Sequence, residues 1–368
     1  MLHCADIHLD MPFTSLGSTE GKAGQRRIEL KEAFHRIIEL SIREKADLLL
    51  ICGDLYEHEY VRKSTINFIC EELGRISNTR VILLPGNHDP YLPGSFYMTY
   101  PWPDNVHILA GEKAVIELEE PCARISGSLK PSLEAKPSCI DILMLHGTLN
   151  MGIARNAFNP LTSDQLDLSG ADYIALGHFH NRFEAAGKIR TAFNPGSPEP
   201  LGFDEEGSHG VYLAEIIVED SGRKHSEIRF VPISRRNYRN VAVHCENYGN
   251  DEKIAAAVEA VMREAGSRED LYSITLKGTV EAGHKADIRR LEASLAHGCF
   301  FIRMRDNTVP GYDFDEIKKE PGLRGLFVKK LLERIRQAEM SGDEEGRLQA
   351  ADALYYGMQA LEQGEIWL

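Results

Sequence analysis

The chain has 368 residues, of which 43% are hydrophobic and 27% are charged, and its formal net charge is −14. This length favours two domains plus an appendage, and the apolar runs are too short to span a bilayer, which excludes a membrane protein. The negative charge excludes a protein that coats nucleic acid non-specifically through a basic face, so any phosphate contact must be local or supplied by metal ions.

The chain opens with HCADIHLD at residues 3–10, which predicts a short first strand. Alternate residues of a strand point the same way, so Asp6 and His8 are expected to face one ion while the apolar residues between them face the core. Asp10 continues the series, but Pro12 should pull the chain out of the strand, so we expect Asp10 to cap a loop. The segment lacks the apolar core of a signal peptide, and we expect a cytoplasmic protein.

Four short apolar runs follow, each typical of a strand that is buried on both faces of an α/β sheet. They are DLLLIC at 47–52, after a predicted helix at 30–42, RVILLP at 80–85, IDILML at 140–145 and ADYIAL at 171–176. Each predicted strand runs directly into polar residues, namely Asp54; Asn87, His88 and Asp89; His146; and His178 with His180. Ligands of open α/β sheets bind at the carboxyl ends of strands, so we expect all five polar segments at one sheet edge.

Carboxylate, amide and imidazole side chains together outnumber the ligands of a single metal ion and suit two ions that share one carboxylate. The candidate ligands are Asp6, His8, Asp54, Asn87, His146, His178 and His180. Mixed oxygen and nitrogen donors without thiolate fit Mn, Fe or Zn better than Ca or Mg. Any one segment alone could be turn chemistry or a core histidine, but five such segments in this order favour a two-metal site.

Beyond a Pro- and Gly-rich loop at 194–210, two antiparallel strands are predicted to close a first domain that covers residues 1–235. Strands and helices then alternate in a compact α+β domain at 236–308, and two amphipathic helices are predicted within a tail at 309–368. The seven cysteines are scattered without a C-x-x-C pair, and we expect all of them to be reduced.

The polar segments resemble the five motifs of the calcineurin-like metallophosphoesterases. These are Asp6-Ile7-His8, Gly53-Asp54, Gly86-Asn87-His88-Asp89, His146-Gly147 and Gly177-His178-Phe179-His180. ADIHLDMPF, and YIALGHFH followed by NPGSPEP, are similar to the SbcD and YhaO branch of bacterial DNA repair nucleases, relatives of the Mre nucleases. The resemblance implies a layered β-sandwich flanked by helices, a small α+β capping domain that binds DNA, and a helical tail.

The same resemblance implies roles for individual residues. One ion would be held by Asp6, His8, Asp54 and His180, and the other by Asp54, Asn87, His146 and His178, with manganese as the usual metal. His88 would stabilise or protonate the leaving oxygen, with Asp89 setting its tautomer, or would only form hydrogen bonds. Where relatives often carry Asp or His, this chain has Glu57, followed by His58, which leaves open how a DNA end is handled.

The resemblance implies a metal-dependent phosphodiesterase that acts on DNA ends, docks an SbcC-like SMC-type ATPase through its tail and forms a homodimer. Two alternatives stay open at the level of sequence. One is a phosphodiesterase or phosphatase of a smaller nucleotide substrate on the same fold. The other is a non-catalytic DNA-end scaffold, which the complete set of candidate ligands disfavours.

Overall fold

The structure is a computed structural model that describes residues 1–16, 21–111, 115–129, 138–150, 158–184, 192–219 and 221–363. The chain divides into unit 1, Met1–Tyr238, and unit 2, Arg239–Leu368. The predicted boundary at residue 235 lies close to this division, whereas the further boundary at 308 stays a prediction. Residues 364–368 of the predicted tail lie outside the described residues.

Unit 1 contains two six-stranded sheets. The first is formed, in spatial order, by β12 (Lys224–Pro232), β11 (Gly210–Val218), β1 (Leu2–Cys4), β2 (Leu48–Cys52), β3 (Arg80–Leu84) and β4 (Val106–Ile108). Strands β1 to β4 are parallel, and the predicted antiparallel pair β11 and β12 continues the sheet beyond β1. The carboxyl ends of β1, β2 and β3 therefore lie at the same edge.

The second sheet has a parallel centre with an antiparallel strand at each edge. Its spatial order is β5 (Val115–Leu118), β6 (Ala123–Ser126), β7 (Ile140–His146), β8 (Tyr173–Gly177), β10 (Ala192–Asn194) and β9 (Phe183–Glu184). The short edge strands carry too weak an alternation to be predicted from the sequence. Only β7 and β8 of this sheet bring predicted ligands to their carboxyl ends.

The two sheets pack face to face, as the layered sandwich requires. Leu50 and Cys52 from β2 lie in one buried cluster with Met144 from β7 and Ala175 from β8. The intervening residues of β2 are buried as well, which is why its sequence is continuously apolar. The predicted single sheet edge is thus a shared edge of two packed sheets.

Helices flank the sandwich, and the longest was predicted from its apolar spacing. Described helices of unit 1 are α1 (Lys22–Arg43), α2 (Lys63–Gly74), α3 (Phe96–Thr99) and α4 (Ser163–Asp167). On α1, Leu30, Phe34, Ile37 and Ile38 are fully buried at helical spacing. The α/β layered fold is confirmed.

Unit 2 follows the predicted order of strands and helices. Its strands are β13 (Tyr238–Tyr248), β14 (Leu271–Glu281), β15 (Phe301–Asp306) and β16 (Val309–Gly311), and its helices are α5 (Asp251–Ala265), α6 (Ile288–Leu295), α7 (Phe314–Ile317), α8 (Leu323–Ser341) and α9 (Glu344–Gln363). The strands form one sheet with its own apolar core. A second small core lies between α8 and α9 around Val328, Leu354 and Met358.

The cysteines differ in part from the sequence-based expectation. Cys122 and Cys139 form a disulfide with their Cα atoms 4.8 Å apart, so the expectation of reduced cysteines was wrong for this pair. Cys122 directly precedes β6, and Cys139 directly precedes β7. The two strands are neighbours in the sheet, and their pairing was not predicted from the sequence. Cys4, Cys52, Cys70 and Cys245 carry free thiols. Among the described residues, no helix is long and apolar enough to cross a membrane.

A buried charge cluster fastens α1 to the segment that follows β10. Arg26 is fully buried, and its guanidinium donates to Glu29 at 2.6 Å, to Glu199 at 2.8 Å and to the carbonyl of Pro200 at 2.7 Å. Both carboxylates are fully buried too. Buried ions are tolerated when they are paired, and here Glu29 also accepts from Arg236 and Glu199 from Arg36.

We expect Arg26→Ala to destabilise unit 1 by about 1–3 kcal/mol, because Glu29 and Glu199 each lose a buried hydrogen bond from a charged donor. Urea denaturation of the full chain measures the change. Arg43→Ala on the same helix is the matched control, since that side chain is 68% exposed and should change stability by less than about 0.5 kcal/mol. Equal losses for the two variants would show that the buried cluster contributes no special stability.

Candidate metal centre

Asp6 and His8 lie beyond the first strand rather than within it. Strand β1 ends at Cys4, and both residues adopt left-handed backbone conformations, with φ of 52° and 51°. Their amides still donate to the carbonyls of Gly53 at 3.1 Å and Asp54 at 2.9 Å. The predicted strand geometry was therefore wrong, but alternate left-handed residues bring both side chains to the same place. Such conformations cost of order 1–3 kcal/mol each and cluster at functional sites.

The turn after β2 brings Asp54 between the two sheets. Gly53 has a φ of 87°, and a Cβ there would lie 2.1 Å from Nδ1 of His146, so a larger residue cannot be accommodated. Asp54 is itself left-handed, with a φ of 51°. Its Oδ1 accepts a hydrogen bond from the amide of His88 at 2.7 Å, which fixes the carboxylate. A Cβ at Gly86 would lie 2.2 Å from the same Oδ1.

Asp54 lies between two groups of side chains. Its Oδ2 lies 3.1 Å from Nε2 of His146 and 3.7 Å from Nε2 of His8. On the His146 side, Oδ1 of Asn87 lies 3.0 Å from Nε2 of His146 and 3.0 Å from Nδ1 of His178. Asp54 thus occupies the position that was predicted for a shared carboxylate.

On the other side, Nε2 of His8 lies 3.2 Å from Nε2 of His180. The Asp6 carboxylate accepts from the amide of His178 at 3.0 and 3.1 Å. Donor atoms of Asp6, His8 and His180 all lie within 4.8 Å of one another, as do those of Asp54, His146 and His178. The structure brings all seven predicted ligand residues together. Their assignment as ligands stays a prediction.

The outer ring nitrogens show that these histidines suit a metal. Nδ1 of His8 lies 2.7 Å from Glu57, Nδ1 of His180 lies 2.7 Å from Glu205, and Nδ1 of His146 lies 2.9 Å from the carbonyl of Cys52. If each Nδ1–H donates to its oxygen, Nε2 presents a lone pair to the centre, as metal-bound histidines do. The facing lone pairs of His8 and His180 repel unless a cation or a proton compensates, so the residues fit a bound metal.

The electrostatics of the site agree with a cation-binding role. Burial raises the pKa of Asp6, whereas the pKa of Asp54 is lowered, against the effect of burial, by a hydrogen bond from His146. Burial opposes the protonation of His146 and His180, but Asp54 and Glu205 respectively raise their pKa values to about 9. Without a metal ion, the protons on His146 and His180 supply positive charge to the site. Metal binding has to displace them.

The catalytic pair predicted at residues 88 and 89 needs a correction. Asp89 is fully buried, and its carboxylate accepts from the amides of Asp54, Leu55 and Gly86 and from the hydroxyl of Tyr97. It fixes the turns that carry Asp54 and Asn87. The carboxylate that contacts the His88 ring is Glu57, whose Oε2 lies 3.0 Å from Nδ1. The carboxylate beside the His88 ring is therefore that of Glu57 and not of Asp89, and the catalytic assignment of His88 and Asp89 stays a prediction.

Asp10 and His58 both lie in loops beside the site, and Asp10 caps its loop as expected. Asp10 accepts a hydrogen bond from the amide of Arg62 at 3.0 Å, which caps the loop before α2. His58 is exposed, and its amide donates to the carbonyl of His88 at 2.9 Å.

Glu205 was missed by the sequence analysis. It is 3% exposed, its second oxygen accepts from the hydroxyl of Ser197 at 2.7 Å, and the amide of Leu201 donates to it at 2.9 Å. It lies in a loop of turn residues without strand or helix periodicity, so neither spacing nor position singled it out. Only the fold brings it beside His180.

The amino-acid sequence is similar to those of known proteins. Residues 1–182 match the family model of the calcineurin-like phosphoesterases. The chain is 30% identical over 233 residues to the uncharacterized metallophosphoesterase YhaO of Bacillus subtilis, an alignment that covers 58% of this chain and 57% of that protein. The chain therefore spans little more than half the length of this relative.

Two archaeal proteins align over more of the chain. The DNA double-strand break repair protein Mre11 of Archaeoglobus fulgidus is 26% identical over 381 residues, which cover 93% of this chain and 82% of that protein. Mre11 of Methanopyrus kandleri is 26% identical over 388 residues, with 93% and 78% covered. The similarity thus extends beyond unit 1.

We expect Glu205→Gln to weaken divalent metal binding by about 10–100-fold, because the amide no longer holds His180 with Nε2 unprotonated. Calorimetric titration of the metal-free protein with MnCl₂ measures the affinity. The matched control is Glu206→Gln, the same change at an exposed neighbouring residue, which should keep the wild-type affinity. Unchanged binding in Glu205→Gln would contradict the inferred role of His180.

Proposed function

The chain carries a calcineurin-like phosphoesterase domain at residues 1–182, and from this premise we propose that it is a two-metal phosphodiesterase that hydrolyses DNA at strand ends. The family match supports a metal-dependent phosphoesterase, and the DNA substrate is the finer part of the proposal. The observation that carries it is the convergence of seven candidate ligand side chains beside His88, whose side chain is 45% exposed. The two Mre11 proteins that align with 93% of this chain support DNA as substrate.

In this proposal Asp6, His8, Asp54 and His180 would hold one ion, and Asp54, Asn87, His146 and His178 the other. The mixed oxygen and nitrogen donors fit Mn, Fe or Zn, and the resemblance to the metallophosphoesterases favours Mn²⁺ among them. When bound, two such ions neutralise phosphate charge and promote attack by water during in-line displacement. They also supply the positive charge that a protein with a net charge of −14 otherwise lacks for a polyanion.

The protein's own residues supply orientation and a proton donor. The His88 ring is held through Nδ1 by Glu57, whose hydrogen bond raises the pKa of the ring, so the protonated imidazole can donate its Nε2 proton to the leaving oxygen. The His88 ring lies edge-on to that of His8, with centroids 4.8 Å apart, which places it at the border of the metal centre. His88 is therefore the proposed catalytic acid, and Asp89 is assigned a structural role.

With Mn²⁺ present, we expect cleavage of end-labelled duplex or single-stranded DNA and of bis-p-nitrophenyl phosphate. Asp54→Asn should abolish both activities, and His88→Ala should lower kcat by about 10²–10⁴-fold because the general acid is lost. His58→Ala, an exposed histidine in the adjacent loop, is the control and should keep wild-type activity.

The outcomes separate the alternatives. Cleavage of the small diester without any cleavage of DNA would overturn the nuclease proposal in favour of a smaller nucleotide substrate. Absence of both activities in protein with demonstrably bound metal would favour the non-catalytic scaffold.

We further propose that the α8–α9 helix pair docks an SbcC-like SMC-type ATPase. The pair packs through its own small core yet leaves large apolar side chains exposed. Leu323 is 70% exposed, Leu326 53%, Met340 90% and Leu348 51%. Apolar residues in such number on a helix pair favour a protein partner. The homodimer, the capping role of unit 2 and the cytoplasmic location stay predictions.

We expect the double variant Leu326→Glu with Leu348→Glu to weaken binding of the purified ATPase by at least about tenfold. Two apolar side chains that the partner would cover become charged. DNA cleavage by the isolated protein should be unchanged. Gln337→Glu with Gln349→Glu adds the same two charges at other exposed residues of the helix pair and serves as control. Binding that is equal in all three proteins would place the partner elsewhere.

A further inference from the structure

Glu57 is the one position in the motif segments where this chain departs from the resemblance, and the structure gives it a defined place. Its Oε1 lies 2.7 Å from Nδ1 of His8, and its Oε2 lies 3.0 Å from Nδ1 of His88. A single carboxylate thus contacts both a candidate metal ligand and the candidate general acid. The residue is 7% exposed, so water competes little for its oxygens.

The backbone of Glu57 is fixed independently of these contacts. Its amide donates to the carbonyl of Leu9 at 3.0 Å, and its own carbonyl accepts from the amides of Tyr60 and Val61 at 3.0 and 2.8 Å. Leu9 directly follows His8, and residues 54–57 directly follow β2. The carboxylate therefore extends from a rigid point between the first two ligand segments.

Each oxygen has a separate consequence. The bond to His8 holds the proton on Nδ1 and leaves Nε2 for the centre. The bond to His88 likewise holds the proton on Nδ1 of that ring and leaves Nε2 facing the centre. The His88 ring is exposed and would otherwise rotate, and Glu57 is its hydrogen-bond partner among the described residues. A shared carboxylate therefore couples the orientation of His88 to that of the metal ligand His8.

We propose that Glu57 is a positioning residue that aligns His88 with the metal centre for phosphodiester cleavage, an inference that rests on the proposed function. It acts through His88 and His8 and does not itself touch the substrate. An aspartate in its place is one methylene shorter and cannot reach both rings from the same backbone point. The identity of residue 57 therefore determines how firmly the general acid is held.

Glu57→Gln tests this with almost no change in size. The amide keeps one acceptor oxygen but turns the other into a donor, so only one of the two rings can keep its Nδ1–H bond. At saturating Mn²⁺ we expect kcat for bis-p-nitrophenyl phosphate to fall about 10–100-fold while KM changes less than about threefold. Glu59→Gln, the same change at an exposed residue two positions on, should leave both constants unchanged.

The double variant decides between positioning and general structural support. If Glu57 acts through His88, then Glu57→Gln should lower kcat less than about threefold further in a His88→Ala background. Equal factors in the two backgrounds, or an unchanged kcat in the single variant, would overturn the proposal.

Two measurements do not depend on activity. Mn²⁺ affinity by calorimetry should fall about 10–100-fold in Glu57→Gln when His8 is the ring that loses its Nδ1–H bond, and should match the wild type when His88 is that ring. A fall with the His8 bond retained, or no fall with it lost, would overturn the proposal. Histidine ¹⁵N spectra of the metal-free protein should show Nδ1–H on both His8 and His88 in the wild type and its loss from one ring in the variant. Unaltered spectra would refute the coupling. Absence of any hydrolysis by the wild type would refute the proposed function alone, because the spectra and the metal titration still decide the placement of Glu57.

Discussion

The packing of two sheets against each other is the constraint on which the whole site depends. Strands β1, β2 and β3 end at one edge of the first sheet, and β7 and β8 end at the corresponding edge of the second. The buried cluster that includes Cys52 and Met144 holds these edges in register, so Asp54 from one sheet meets His146 from the other at 3.1 Å. Loss of sheet packing would separate the two halves of the site, since neither sheet alone carries a full ligand set.

The turns that leave these strands are the second requirement. Four of the predicted ligands have positive φ, namely Asp6, His8, Asp54 and His178. The flanking glycines leave room that a Cβ would fill, as Gly53 does beside His146. Asp89 accepts hydrogen bonds from three amides and one hydroxyl, and Gly86 is tightly packed. These contacts hold the turns around Asp54 in their strained conformations, which is how local strain persists in a folded protein. Asp89 therefore belongs to the framework of the site.

Features that depend on one short stretch of sequence could be predicted, whereas contacts between distant segments could not. Buried parallel strands such as β2 and β3 have continuous apolar sequences, so their bounds and the polar residues after them were predictable. The left-handed turns at Asp6 and His8 were not, because aspartate and histidine carry no obligatory turn signal. Glu205 and the contact between Glu57 and His88 depend on loops from distant segments that meet only in three dimensions. Short edge strands such as β9 and the Cys122–Cys139 pair were missed for the same reason.

Charge balance explains why so acidic a centre can exist. Four carboxylates surround it, those of Asp6, Asp54, Glu57 and Glu205, and all four residues are less than 10% exposed. Their mutual repulsion is reduced in the metal-free chain by protons on His146 and His180, whose pKa values are raised to about 9. Two divalent cations would bring four positive charges and would replace those protons. Because the charges of the two metal ions would balance those of the four carboxylates, the phosphate would contact a nearly neutral centre. The net negative charge of the whole chain would matter less at that point. Under the two-metal proposal, an acidic protein is compatible with a polyanionic substrate, and the outer carboxylates Glu57 and Glu205 would contribute to the charge that favours two divalent ions over one.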